Sequence, residues 1–277
     1  MVLYDTTAKS YRTVGTNLNK RDVMPVKKKR VLILSDLHCG HKTGLLPPEY
    51  HRPHSENKLD QVGIELWEQF CVLVEPIKPF DLVVAVGDLI DGRENSAELI
   101  EGDRNKQADI ASDCLRETEC KNFVIIKGTP FHCGRVEQFE QRVSDNLNAK
   151  AFGAHEYIDV NGLVFDCKHK IGTTAVPWNT LPIAKEKLWS KLWADKGQPD
   201  SNIIVRAHCH KFNYCGDFDW MGFTTPGLQG TSEYGVTQVS RTIDFGFVYF
   251  DVWSEKRWDW KPTALELELT KSAVVKF

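Results

Sequence analysis

The chain has 277 residues, enough for one large α/β domain, and its 42% hydrophobic residues suffice for a sizeable core. No apolar run approaches the roughly 20 residues of a membrane-spanning helix, and residues 1–20 lack the apolar centre of a secretion signal. The formal net charge of −3 excludes a global basic field that would recruit nucleic acid, although a local basic groove is compatible with it.

Residues 1–28 are predicted to form a polar arm that ends in the basic run Lys27–Arg30. This run could contact phosphates or act as an address signal, but we expect it to be the solvated lead-in to the first strand. Residues 29–277 are expected to form a single domain with C-terminal edge strands. No internal repeat or low-complexity segment interrupts it.

Apolar runs and periodic apolar positions predict alternating strands and helices in the first half of the chain. The predicted strands are at 30–35, 80–86 and 122–127, and the predicted helices at 56–77, 93–120 and 135–149. The second half is mostly strand, at 156–160, 163–169, 202–206, 211–218, 243–252 and 263–270. This mixture predicts an α/β fold in which two packed mixed β-sheets are flanked by helices.

One helix, Leu181 to Lys196, is predicted within the second half. It carries an apolar stripe, which we assign to core packing rather than to a substrate platform. The stripe consists of Leu188, Trp189, Leu192 and Trp193. Near the C-terminus, Trp253, Trp258 and Trp260 are expected to pack as a cap on the edge of a sheet.

Three short polar segments each follow a strand-like apolar run. They are Ser35–His38, Gly87–Gly92 and Ala207–His210. Carboxylates and imidazoles at the ends of buried strands are the ingredients of a metal site on a rigid sheet. Asp36 and His38 would share one side of an extended segment, because side chains two residues apart point the same way. All the donors are oxygen or imidazole nitrogen, which suits Mn²⁺, Fe, Zn²⁺ or Ni²⁺ rather than a thiolate site.

The eight cysteines include no Cys-x-x-Cys pair, so a structural zinc knuckle is not expected. We interpret them as reduced thiols of a cytoplasmic protein. The cysteines close to histidines could be thiolate ligands. We instead expect them to be small, buried residues in the walls of the site, because the neighbour of a ligand on an extended chain points to the opposite face. These cysteines are Cys39, Cys133, Cys167 and Cys209.

The ordered motifs resemble those of the calcineurin-like metallophosphoesterases over residues 30–252. That family carries Asp-x-His, Gly-Asp-x-x-Asp-Gly, Gly-Asn-His-Asp/Glu, a lone His and Gly-His-x-His in this order. The positions that match are Asp36, His38, Asp88, His169, His208 and His210, with Ala207 in place of the last Gly. The resemblance implies the family's four-layer sandwich for residues 29–277.

The resemblance also implies a metal-dependent phosphoesterase with a dinuclear centre. One metal would be held by Asp36, His38 and His210 and the other by His169 and His208, with Asp88 bridging the two. We expect two divalent ions, Mn²⁺ first, with Fe, Zn²⁺ or Ni²⁺ as alternatives. Ions about 3.5–4 Å apart would clamp the phosphate oxygens and generate a metal-bound hydroxide that attacks phosphorus in line with the leaving group.

The third block departs from the family pattern. The segment Gly128–His132 reads Gly-Thr-Pro-Phe-His, so the Asn that ligates the second metal and the catalytic His beside it are missing. Thr129 occupies the Asn position, and His132 is displaced by two residues. This variant resembles a phage and prophage branch, in which we expect His132 to supply the missing imidazole, either as a second-metal ligand or as the acid.

Several positions near the motifs have weaker assignments. Asp91 is expected to support the turn or the ligands from behind. Arg93 could touch phosphate or pair with a local carboxylate. His41, His51 and His54 could line the substrate entrance, with His41 as the candidate substrate contact, although solvent-facing loop histidines are more common.

The leading hypothesis is a cytoplasmic phosphodiesterase that acts on DNA, RNA or a nucleotide, without a membrane partner. No DNA-capture domain follows residue 252, which favours a compact, stand-alone hydrolase. One alternative is a metal-binding or nucleic-acid-binding module that kept the fold and lost catalysis, which the missing Asn-His pair supports. The other is a phosphomonoesterase or protein phosphatase. The oligomeric state is left open.

Overall fold

The computed structural model describes residues 27–51, 58–93, 98–136, 138–172, 180–231 and 242–267. The predictions for the arm up to residue 26 and for His54 lie outside these residues. The strands are β1 (Lys29–Leu34), β2 (Leu82–Val86), β3 (Phe123–Ile126), β4 (Ala151–Gly153), β5 (Glu156–Val160), β6 (Leu163–Lys170), β7 (Ile203–Ala207), β8 (Asn213–Gly216), β9 (Met221–Thr224), β10 (Asp244–Ser254) and β11 (Arg257–Glu266). The α-helices are α1 (Lys58–Val74), α2 (Arg104–Arg116), α3 (Pro130–Cys133), α4 (Phe139–Leu147) and α5 (Leu181–Ala194).

The first sheet has the strand order β11-β10-β1-β2-β3-β4. Strands β1 to β4 run parallel to one another, whereas β10 is antiparallel to both β1 and β11. Parallel neighbours need a crossover connection. Helix α1 lies in the connection from β1 to β2, and α2 lies in the connection from β2 to β3. The carboxyl ends of β1, β2 and β3 therefore meet at one edge of the sheet.

The second sheet has the strand order β5-β6-β7-β9-β8. Its three central strands β6, β7 and β9 are parallel, and its edge strands β5 and β8 are antiparallel to their neighbours. Helix α5 lies in the connection from β6 to β7 and packs on this sheet. Both sheets are therefore mixed, as predicted.

Alternate residues of the central strands face two different cores. Leu32 and Val83 belong to the core beneath helices α1 and α2, whereas Ile33 and Val84 belong to the core between the two sheets. This division follows from the two-residue repeat of a strand. The layers run helix, sheet, sheet, helix, which confirms the predicted α/β sandwich. Within the described ranges, no helix combines the length and the apolar character needed to cross a bilayer.

The element bounds differ from prediction in a few places. The helix predicted over 93–120 is restricted to α2, and the strand predicted over 263–270 is β11, which begins earlier and includes Trp258 and Trp260. Both tryptophans pack against the core between the sheets, as predicted, whereas the ring of Trp253, the third tryptophan of the predicted cap, lies under Arg257. Strands β4 and β9 were not predicted, because β4 has only three residues and Gly222 interrupts the strand pattern of β9.

The basic run at the start of β1 forms ion pairs with residues of the first sheet and its connections. Lys28 Nζ lies 3.2 Å and Arg30 Nε 2.7 Å from the carboxylate of Asp251 on β10, and Lys29 Nζ lies 3.2 Å from Asp81. These positive charges are therefore used to hold the lead-in to β1, which favours the structural interpretation of the run.

The apolar stripe of α5 does not pack in the core, so that prediction is wrong. Leu188, Trp189 and Leu192 are 60%, 45% and 43% exposed. The inward face of the same helix carries the charged side chains of Glu186 and Lys187, which are buried. Apart from Ile183, which is also buried, the helix is therefore inverted, with polar side chains facing the sheet and large apolar side chains facing outward.

A buried ion network on the second sheet explains this inversion. Arg206 of β7 is fully buried, with Nε 2.9 Å from Glu186 Oε2 and Nη1 2.8 Å from Asp166 Oδ1. Lys168 Nζ also lies 2.9 Å from Glu186, and His155 Nε2 lies 2.9 Å from Asp166. Because a buried guanidinium is stable only when its charge is paired, α5 has to present a carboxylate to the sheet.

We expect Arg206→Met to destabilise the fold by about 3–5 kcal/mol, because Asp166 and Glu186 lose the fully buried cation that they share. The matched control is Lys191→Met, which removes an ion pair with Asp200 that is half exposed on both sides. That control should change the free energy of unfolding by about 0–1 kcal/mol. Urea denaturation followed by circular dichroism measures both variants, and equal changes in the two would contradict the role given to the network.

Candidate metal centre

The six candidate ligands lie at the carboxyl ends of four strands. Asp36 and His38 follow β1, Asp88 follows β2, His169 lies near the end of β6, and His208 and His210 follow β7. The structure brings them together with His132 of α3. Three groups of donors each have their ligand atoms within 4.8 Å of one another. They are Asp36–His38–His210, Asp88–His169–His208 and His38–Asp88–His132.

The first donor group has the spacing of ligands around one cation. Asp36 Oδ1 lies 3.2 Å from His210 Nε2 and 4.0 Å from His38 Nε2, and the two imidazole nitrogens are 3.3 Å apart. Bonds of about 2.0–2.2 Å to a common ion place neighbouring donors roughly 3–3.5 Å apart. The three atoms therefore fit a single divalent ion with little adjustment.

The second donor group is built around Asp88. Its Oδ2 lies 2.9 Å from His169 Nε2 and 3.6 Å from His208 Nδ1. His169 Nδ1 donates to the Val86 carbonyl at 2.6 Å, which leaves Nε2 to face the carboxylate. An unprotonated Nε2 and a carboxylate oxygen repel each other at this distance unless a proton or a cation lies between them, so the pair also fits a metal.

Both carboxylates have one oxygen held by the protein and one turned towards imidazoles. Asp36 Oδ2 accepts from Ser35 Oγ at 2.5 Å, whereas Asp36 Oδ1 is buried without a hydrogen-bond donor among the described residues. Asp88 Oδ1 accepts from Thr129 N at 2.6 Å and from Thr129 Oγ1 at 3.1 Å. Because a buried anionic oxygen without a partner is costly, Asp36 Oδ1 is another atom that a cation would satisfy.

The buried charges of the centre shift one another's pKa. Burial raises the pKa of Asp36, but the attraction of His210 and His169 outweighs it and holds this pKa well below its usual range. The pKa of Asp88 is also lowered, because attraction by His169 outweighs its burial. Burial lowers the pKa of His38 to about 4, so this imidazole is neutral at pH 7 and its lone pair is available to a metal.

Five of the six candidate ligands have a left-handed backbone. The φ angles of Asp36, His38, Asp88, His208 and His210 lie between 45° and 75°. A residue with a Cβ adopts this conformation at a cost of about 1–2 kcal/mol. Residues with a strained backbone are concentrated at functional sites, where the surrounding structure holds them in place. The expectation that the first two ligands lie on an extended segment is therefore wrong, because the chain turns at each of them.

Helix α3 carries the rewritten third block to the centre. His132 Nδ1 donates to the Asp91 carbonyl at 2.5 Å, which leaves Nε2 for the group that it forms with His38 and Asp88. Thr129, the predicted second-metal candidate, donates its hydroxyl to Asp88. Its observed role is therefore to orient a candidate ligand.

Two glycines allow these segments to approach each other. A Cβ added to Gly92 would lie 1.8 Å from the carbonyl oxygen of His132, and a Cβ added to Gly128 would lie 2.2 Å from Asp88 Oδ1. Neither distance is possible for a side chain. Only glycine fits at these two positions, because any side chain would clash with the neighbouring segment. Gly92 closes the second motif, and Gly128 opens the third block.

The remaining predicted positions have different outcomes. Asp91 Oδ1 lies 3.8 Å from His38 Nδ1, and Asp91 Oδ2 accepts from Arg93 Nε at 2.8 Å. Arg93 is thus engaged by a local carboxylate, which is the second of its two predicted roles. His41 is fully buried, with Nδ1 2.9 Å from Thr43 Oγ1. The prediction that His41 contacts the substrate is therefore wrong, because its side chain is not accessible to solvent.

Sequence reasoning missed Glu140, which is fully buried on α4. Its carboxylate accepts from Leu89 N and from Gly128 N, both at 2.7 Å, and so ties together the segments that follow β2 and β3. Burial and then the charge of Asp88 raise the pKa of Glu140 to about 7, against the two N–H donors. In the sequence, the only indication of this role is a glutamate at an inward-facing position of a short amphipathic helix.

The segment after β9 supports the first donor group and was also missed. Thr225 Oγ1 lies 2.6 Å from Ser35 Oγ, which in turn holds Asp36. A Cβ added to Gly227 would lie 2.9 Å from the ring of His210. These contacts join residues that are distant in the chain, so no local spacing could have indicated them.

The cysteines beside the motifs do not belong to the donor groups found among the described residues. Cys39, Cys133 and Cys167 are buried. Burial raises the pKa of Cys133 to about 12 and also raises that of Cys167. Both of these thiols are therefore protonated at neutral pH, and Cys167 packs in the core between the sheets.

Comparisons with known proteins find similar structures at low sequence identity. Vps29 from Cryptosporidium parvum is 12% identical with a TM-score of 0.47, over 87% of this chain and 99% of that chain. Vps29 from Chaetomium thermophilum is 13% identical with a TM-score of 0.46, over 81% and 85%. An archaeal phosphodiesterase is 11% identical with a TM-score of 0.43, over 85% and 99%. No protein-family model and no curated protein sequence matches the chain.

These likenesses assign no activity and no residue role to this chain, because identity and TM-score are both low. The candidate centre therefore depends on the geometry of its own donors. That geometry places the half-buried hydroxyl of Thr129 on the carboxylate shared by two of the three groups. The contact can be tested directly.

We expect Thr129→Val to weaken Mn²⁺ binding about 10- to 100-fold, because a ligand that loses its hydrogen-bond partner is no longer held in position. Valine keeps the shape and the backbone N–H of Thr129 and removes only the hydroxyl. Thr129→Ser, which retains a hydroxyl, should restore most of the affinity. Isothermal titration calorimetry measures all three proteins, and equal affinities for the Val and Ser variants would exclude a role for the hydroxyl.

Proposed function

We propose that the chain is a metal-dependent phosphoesterase, and specifically a phosphodiesterase that acts on nucleic acid or a nucleotide through a dinuclear Mn²⁺ centre. The observation that carries this proposal is that the first two donor groups adjoin. Asp36 Oδ1 of the first group lies 3.9 Å from His169 Nε2 of the second. Adjoining donor groups are what a pair of ions about 3.5–4 Å apart requires.

Two divalent ions, when bound, would offset the charge of a phosphate group and acidify a water molecule. The residues of the chain hold the donors in place: His169 is oriented by the Val86 carbonyl, and Asp88 by Thr129. His132 is anchored through Nδ1 and keeps Nε2 for a second task. When protonated, it can donate to the leaving oxygen, a contribution of about 10²–10⁴ in rate. When neutral, the same atom can serve as a ligand.

The charge around the centre supports a diester as substrate. A phosphodiester carries one negative charge, whereas a phosphomonoester near neutral pH carries about 1.5 to 2. Arg93 follows the second motif but is occupied, with Nε 2.8 Å from Asp91 and Nη1 3.7 Å from Glu98. Because its charge is smaller than that of a monoester, a diester needs fewer cationic side chains for binding. The third block, with its resemblance to a phage branch, favours nucleic acid or a nucleotide.

We expect Asp88→Asn to reduce phosphodiesterase activity to background and to weaken the binding of both ions, because Asp88 belongs to the second donor group and shares the third group with His38, which is a member of the first. The matched control is His51→Ala, since His51 donates to the Leu46 carbonyl outside the donor groups. This control should keep activity and metal content. Metal content is measured by mass spectrometry of the purified proteins. An Asp88→Asn variant with full activity and two bound ions would contradict the proposal.

The substrate class is tested with a hydrolysis panel in Mn²⁺. The panel compares a generic phosphodiester, a phosphomonoester, cyclic nucleotides, and single- and double-stranded DNA, with His38→Ala as the control for contaminating hydrolases. We expect the diesters to be cleaved faster than the monoester. The reverse order would favour a phosphomonoesterase. Metal binding without hydrolysis of any substrate would favour a binding module with degraded catalysis.

A further inference from the structure

Phe131 is an exposed aromatic residue beside the candidate metal centre. Its side chain is 69% exposed. Its ring centroid lies 4.9 Å from that of His132, and the His132 centroid lies 4.5 Å from that of His38. A single imidazole therefore separates the phenyl ring from a candidate ligand of the first metal.

The short helix α3 fixes the position of this ring. Thr129, which precedes the helix, is hydrogen-bonded to Asp88, and His132, which follows Phe131 within the helix, is hydrogen-bonded to the Asp91 carbonyl. Cys133 is buried. Phe131 is thus held between anchored neighbours and remains in water. A preformed apolar surface of this kind loses little conformational freedom when a ligand covers it.

The residues that follow α3 form a second part of the exposed rim, which we define as Phe131, Arg135 and Val136. Arg135 and Val136 are both exposed, Val136 to 85%. An exposed aromatic ring and a guanidinium are the groups with which proteins hold single-stranded nucleic acid, because the ring stacks on a base and the cation contacts the backbone. The rim is therefore suited to a ligand that is aromatic in one part and anionic in another.

We propose that Phe131 forms a subsite that stacks on a nucleobase of the substrate, with Arg135 placed to meet a neighbouring phosphate. This inference rests on the proposed phosphodiesterase function and gives it a substrate class. In a nucleotide, one sugar ring separates the base from its phosphate. In this structure, one imidazole ring separates Phe131 from the donors that would hold that phosphate. A nucleotide bound through its phosphate would thus bring its base to the phenyl face.

The test compares a labelled oligothymidylate with an abasic oligonucleotide of the same length. In Phe131→Ala, the ratio of kcat/KM for the thymidine substrate to that for the abasic substrate should fall about 5- to 150-fold, as expected for the loss of one base stack. Phe131→Trp should keep the ratio. The matched control is Phe218→Ala, because Phe218 is 98% exposed between β8 and β9, before the amino end of β9, whereas the candidate ligands lie at carboxyl ends of strands. A ratio that Phe131→Ala leaves unchanged would overturn the inference.

Fluorescence anisotropy of the same labelled oligonucleotides separates this inference from the proposed function. If the wild type hydrolyses neither substrate, the proposed function fails, and the ratio of the two Kd values still reports stacking. Equal Kd values in the wild type would then overturn the subsite. A thymidine dinucleotide is measured in parallel. A base preference in the oligonucleotide alone identifies a strand as the source of the base, and a preference in both identifies a nucleotide as sufficient; either result supports the subsite.

Discussion

The candidate centre depends on two buried carboxylates, Asp36 and Asp88, whose negative charges have to be compensated by the groups around them. Each carries a negative charge in a region from which water is excluded, and each has only part of that charge matched by hydrogen-bond donors. Burial of an ion is tolerated only when the ion is paired or bound to metal. The imidazoles around them, and the strained backbone that presents these imidazoles, follow from the need to bring compensating groups to two points in the interior.

The strain at these ligands is large on the scale of a protein's stability. Five left-handed residues at about 1–2 kcal/mol each amount to a sum comparable to the net stability of a typical domain, about 5–15 kcal/mol. The two central cores on either side of the first sheet provide the burial that offsets it. Glu140 and the Ser35–Thr225 contact act more locally, since they hold the segments that would otherwise relax.

Much of the fold and of the donor set could be predicted from sequence, because both depend on local patterns. Apolar runs mark the strands, and the polar motifs at their ends mark the candidate ligands. The failures have a common physical origin in long-range contacts. Nothing near Leu188 shows that Arg206 lies beneath α5, and nothing near His41 shows that it is enclosed. Likewise, the partners of Glu140 come from two other segments, so its function could not be predicted from its own helix.

The placement of β10 has a consequence for how the chain acquires its structure. Strand β1 lies between β2 and β10, and Val31 is paired with Phe250 although the two residues are far apart in sequence. Contacts between distant residues close slowly, because the loop entropy is lost before the contact is gained. During synthesis, β1, which leads into Asp36 and His38, therefore obtains its second neighbour only after β10 has been made. The first sheet is therefore completed only after all the strands of the second sheet have been synthesised.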